Sequence, residues 1–141
     1  MHFWNKNSNS KYILNGNELN EVNEEKDLGI YISNDLKWAK QCNVAAAKAN
    51  RMLGQLENAF SYTDTESSKL LYTLLVRQHL EYAIQVWNPY FKKDIELIKK
   101  VQHRATKIKS LKHLSYTNRL KEKNLINLET RRRLDSYVQN F

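Results

Sequence analysis

Apolar residues recur along most of this chain at steps of three and four, and alternate only near its N-terminus. Trp38, Cys42, Ala45, Ala49, Met52, Leu56 and Phe60 form one unbroken stripe of the first kind, which predicts a helix running to about residue 60. Ser33, Asn34 or Asp35 can supply its cap. Ala45-Ala46-Ala47 and Ala49 leave the middle of the stripe thin, so a neighbouring helix can approach closely. A second helix should open at Thr63 or Asp64 and turn Leu70, Leu71, Leu74 and Leu75 inward. It continues or kinks near Gln78 and stops before Pro89, because proline cannot extend a helix. Further helices are expected from Asp94 to about Lys109, from Tyr116 to Lys123 and from Leu128 to Tyr137.

The N-terminal part reads differently. Residues 1 to 10 look frayed. Tyr12-Ile13-Leu14, Asn15-Gly16 and Asn17-Glu18-Leu19 predict a two-residue hairpin, since Asn-Gly accepts the positive φ values of a type I′ turn. Leu28, Ile30 and Ile32 alternate with Gly29 and Tyr31, as a half-buried strand should. The expected architecture is mainly α, a helical bundle over residues 36 to 141, with a small antiparallel β-meander at residues 11 to 35. So short a sheet needs a covering layer to be stable.

At 141 residues, three glycines and one proline, the chain suits one modest core and argues against an all-β or long disordered protein. Cys42 is the only cysteine, which excludes an internal disulfide and fits a reducing compartment. With neither a signal peptide nor a spanning run in view, the expected location is intracellular, nuclear or cytoplasmic, with no membrane partner.

Charge sharpens the picture. Residues 92 to 141 carry fourteen basic and five acidic groups, a surplus of nine, whereas the whole chain nets +8. Such a surplus repels itself in a compact fold and points to an anionic partner or a solvated tail. On the Asp94 helix, Lys93, Lys100, Arg104 and Lys107 fall within about 60° of one another at 100° per residue. Lys92, Lys99 and His103 widen that face, and Lys109 extends it. A line of cations along one helix can track a phosphate backbone by replacing condensed counterions. Arg131 and Arg132 are further candidates, although consecutive residues in Arg131-Arg132-Arg133 cannot share one face. Trp38, Trp87, Tyr72, Tyr82 and Tyr90 can stack on bases, but at helical spacing such side chains more often fill cores. The four histidines and Cys42 lack zinc spacing, and there is neither a phosphate loop nor a nucleophile elbow.

Five blocks in order then carry a resemblance. They are Glu25-Lys26-Asp27-Leu28-Gly29-Ile30 to Asp35-Leu36-Lys37-Trp38, the run from Leu75 to Pro89, the run from Asp94 to Lys107, Ser115-Tyr116 to Arg119-Leu120, and Leu128-Glu129 to Arg131-Arg132. Together, over roughly residues 12 to 137, they resemble the thumb-side, C-terminal region of reverse transcriptases from non-LTR, jockey-type retrotransposons. The resemblance implies a thumb-like bundle that holds an RNA–DNA hybrid or duplex without reading its sequence, beside an upstream palm. It places Gly29 near the primer, where a missing side chain lets nucleic-acid backbone come close.

What the chain lacks limits the activity. Polymerisation needs paired carboxylates for divalent metals, and Asp27, Asp35, Asp64, Asp94 and Asp135 include no adjacent pair. The resemblance puts the catalytic hairpin and its Mg²⁺ upstream of Met1, so the chain reads as a fragment or an internal start, with no cofactor and no polymerase activity of its own. Gln78 stands where the family often has proline, and His103 where it often has arginine. Two other readings stay open: a basic helical module for an acidic protein partner, and the product of a decayed element.

Overall fold

The computed structural model describes residues 1–3, 8, 10–60, 62–107 and 111–138. Its N-terminal part is two antiparallel hairpins. In the first, β1 (Ile13–Leu14) pairs with β2 (Asn17–Glu18) around Asn15 and Gly16, whose φ values of 51° and 79° give the turn its handedness. In the second, β3 (Glu24–Asp27) pairs with β4 (Ile30–Ser33), and Asp27 faces Ile30. Leu28 and Gly29 form the turn between them, at φ 46° and 84°. Leu28 is therefore not part of the alternating strand expected from the sequence, and it stands 82% exposed. The Tyr82 hydroxyl steadies this turn by donating to the Leu28 carbonyl at 2.9 Å.

Only β4 reaches the core. Ile30 is buried, Ile32 packs against the same cluster, and the Gln41 side-chain carbonyl accepts from the Tyr31 N–H at 3.0 Å. Gln41 belongs to α1 (Ala39–Ala59), the covering layer that the short sheet requires. Cys42, Ala45, Ala46, Ala49 and Leu53 are buried along α1, while Trp38, Met52 and Leu56 flank the core and Phe60 is exposed. No side chain caps α1. Asp35 instead accepts from the Ser33 hydroxyl at 2.8 Å and the Lys37 N–H at 3.0 Å, closing a turn ahead of the helix.

The next helix opens as expected, with the Asp64 carboxylate accepting from Glu66 and Ser67 N–H groups, both at 3.1 Å. It runs as α2 (Thr65–Leu71), a π-helical turn (Tyr72–Val76) and α3 (Arg77–Glu81). Its buried side is Ser68, Tyr72, Val76 and Leu80; of the expected leucines, Leu71 and Leu75 are half-buried, and Leu70 and Leu74 are each 58% exposed. Residues four apart drift by about 40° per step on an α-helix of 3.6 residues per turn. The wider π turn removes much of that drift and keeps four such residues on one side. Ala83, at φ 50°, breaks the helix, and the short α4 (Ile84–Trp87) buries Trp87 before Pro89 ends it.

α5 (Lys92–Ala105) lies along α1, and α6 (Tyr116–Glu122) and α7 (Leu128–Val138) close the bundle. No helix among the described residues is long and apolar enough to cross a membrane.

Candidate nucleic-acid interface

α5 divides cleanly around its axis. Ile98, Val101, Gln102 and Ala105 are buried, as is Asp94. Lys92, Lys93, Lys100, Arg104 and Lys107 are exposed and Lys99 half-buried, so all the described cations of the expected face lie on the outer side. They are not equivalent. Arg104 is committed to α1: its guanidinium donates to both Glu57 carboxylate oxygens, at 2.7 and 3.3 Å, and to the Asn50 backbone and side-chain oxygens. Lys99 pairs with Glu96 at 3.5 Å, one turn back on its own helix. Lys92, Lys93, Lys100 and Lys107 make no ion pair among the described residues. Three of these lysines stand on α5 and Lys107 two residues beyond its end, and all four are open to an anionic partner.

His103 adds no charge to the line. Burial lowers its pKa, with Arg119 and Lys107 acting in the same direction, and the Arg119 guanidinium lies 3.2 Å from Nε2. An arginine can only donate, so Nε2 is the acceptor and the ring is neutral.

The remaining candidates lie elsewhere. Lys109 falls outside the described residues. Arg131 bridges to Glu81 at 2.7 Å, and Arg77 shares the same carboxylate at 3.5 Å, which docks α7 onto α3. Arg132 is buried beside Cys42, Glu81 and Tyr72, where burial works against its charge, and is removed from any surface phosphate. Gly29 sits in the β3–β4 turn with the Tyr82 ring against it, where a Cβ would lie 3.7 Å from Tyr82 Cε1. Its positive φ accounts for a glycine there without reference to a ligand.

A polar cluster under α5 was not legible in the sequence. The Gln102 side chain donates to the Ile126 carbonyl at 3.0 Å and accepts from the Tyr116 hydroxyl at 2.9 Å and the Leu128 N–H at 3.2 Å. Arg119, 4% exposed, donates to the Leu114 carbonyl at 2.7 Å and the Thr106 hydroxyl at 3.3 Å. Lys123, 1% exposed, donates to the Ser68 hydroxyl at 2.5 Å and the Ala105 carbonyl at 3.2 Å, and burial pushes its pKa down to about 8. The one available signal was Gln102, a polar residue at the centre of an apolar helix face. Among the described residues, no group of carboxylates, histidines and cysteine is placed to hold a metal ion.

Neither a protein-family model, nor a curated protein, nor a solved structure matches the chain.

Proposed function

We propose that this chain is the thumb-side segment of a non-LTR retrotransposon reverse transcriptase, and that it holds an RNA–DNA hybrid or duplex through the outer face of α5. The observation that carries the reading is the exposed Lys92, Lys93 and Lys100 on α5, with Lys107 two residues beyond its end, all without an ion pair among the described residues, on a helix tied to α1 by the Arg104–Glu57 pair. Such a row meets phosphates by position and charge and carries no sequence information. Catalysis would belong to an upstream palm with its Mg²⁺, and the chain alone would not extend a primer.

The test is a salt titration with a labelled RNA–DNA hybrid. Four phosphate contacts give a log–log slope of about −3 to −4, at roughly −0.9 per contact. Changing Lys92, Lys93, Lys100 and Lys107 together to Gln should flatten that slope and weaken unrelated duplex sequences equally. Glutamine keeps helix propensity close to that of lysine, so circular dichroism serves as the folding control. Equal slopes for parent and variant would sink the reading. Equal competition by polyglutamate would favour an acidic protein partner instead.

A further inference from the structure

The expected aromatic candidates separate sharply by exposure. Trp87 and Tyr72 are buried, and Trp38 packs against the core. Tyr82 is exposed, but its hydroxyl is tied to the Leu28 carbonyl. Tyr90 is 61% exposed and pairs with Phe91, itself 39% exposed, at a ring-centroid distance of 4.3 Å and an interplanar angle of 39°. The backbone explains why they are outside. Pro89 is buried just past the end of α4, Phe91 takes the extended N-cap position of α5, and both residues belong to the short connection between the two helices. Lys92 and Lys93 follow immediately and are both exposed and unpaired among the described residues. A third cation, Lys37, is ion-paired to Asp35 at 2.9 Å and feels the Tyr90 phenol more weakly.

Two adjoining exposed rings at one end of a lysine row combine the elements of single-strand recognition: a π surface for bases and cations for the backbone beside it. We propose that Tyr90 and Phe91 form a stacking platform for unpaired nucleotides, at the point where a single strand leaves the duplex held along α5. The inference rests on the nucleic-acid reading above and extends it from phosphates to bases. An acidic peptide would satisfy the lysines but leave the two rings unused.

The experiment compares two RNA–DNA hybrids that carry the same short single-stranded extension, one with bases and one abasic. Charge and length are identical, so lysine–phosphate contacts cancel. Stacking predicts that the base-bearing extension binds at least about fivefold tighter, the low end for a single stacked base. Tyr90→Ala with Phe91→Ala should abolish that preference while circular dichroism and blunt-hybrid binding stay as in the parent. Tyr90→Phe with Phe91→Tyr, which keeps both rings, should retain it. A 2-aminopurine in the extension should be quenched on binding by the parent and not by the alanine variant. Equal affinity for both extensions, with salt-dependent binding intact, would overturn the platform and leave the duplex reading standing. Failure to bind either hybrid would overturn both. Self-association of the parent that disappears in the alanine variant would assign the rings to a contact between copies and also overturn the platform.

Discussion

Within the basic segment of residues 92 to 141, two regions treat the same residue types in opposite ways. On the outer face of α5 and just beyond its end, Lys92, Lys93, Lys100 and Lys107 are exposed and have no carboxylate partner among the described residues. Beneath α5, Arg119 and Lys123 are as buried as leucines and spend their donors on carbonyls and hydroxyls. The difference is one of backbone need. The chain around the C-terminal end of α5 leaves carbonyl groups such as Ala105 O and Leu114 O to be satisfied, and a long cationic side chain reaches them from α6. A segment's net charge is therefore a poor measure of its surface charge. Part of the surplus here is internal scaffolding.

Arg119 carries the largest expected effect of the buried region. Arg119→Ala leaves the Leu114 carbonyl and His103 Nε2 without their donor, while the Thr106 hydroxyl keeps its bond to the His103 carbonyl. The expected cost is about 2–4 kcal/mol, a fall in Tm of roughly 5–10 °C by calorimetry. A melt within a degree or two of the parent would place Arg119 with the solvated cations.

Lys123 sharpens the contrast through pH. Its pKa falls from the usual 10.5 to about 8 in the folded chain. Between those values the unfolded chain binds the proton and the folded one has released it, so stability rises as pH increases from about 8 toward 10.5. Below about 8 both states are protonated and the buried charge is carried in full. Lys123→Met removes the titration. Urea unfolding across this range should show the parent gaining on the variant by on the order of 3 kcal/mol. Parallel curves would mean that the amine is solvated. The smallest effect belongs to the outer face: Lys100→Gln should change stability by no more than about 0.5 kcal/mol, because the exposed side chain has no ion-pair partner among the described residues.

Where local chemistry decides structure, the sequence was readable. Asn15-Gly16 names its own turn, Asp64 its own cap, and the α1 stripe its own buried face. It was unreadable where a wider context overrides local preference. Leu28 adopts a left-handed conformation that leucine disfavours, because Gly29 completes the turn and Tyr82 clasps it. Ser68 lies inside and Leu74 outside, because a π turn resets a register that α-helical periodicity takes as constant. In the candidate site, the helix and its outer face were legible from spacing alone. The diversion of Arg104 to Glu57 and the burial of Arg132 depend on partners from α1 and α3, which no spacing reveals. The exposure of Tyr90 depends on the break at Pro89, so aromatic type gave no warning of it.

The alanines of α1 have a consequence of their own. α1 and α5 run in the same sense, with Asp94 beside Cys42 at one end and Arg104 on Asn50 and Glu57 at the other. Ala45, Ala46 and Ala49, all buried, occupy the interval between. They contribute little area to the core, yet their size works as a gauge that fixes how far α5 stands from the sheet side of the molecule. An enlarged side chain in that interval would act as a shim, lifting the lysine row as a rigid rail and carrying the Tyr90–Phe91 end with it. Small residues buried beneath α5 would then set where the lysines of its outer face stand relative to the rest of the molecule.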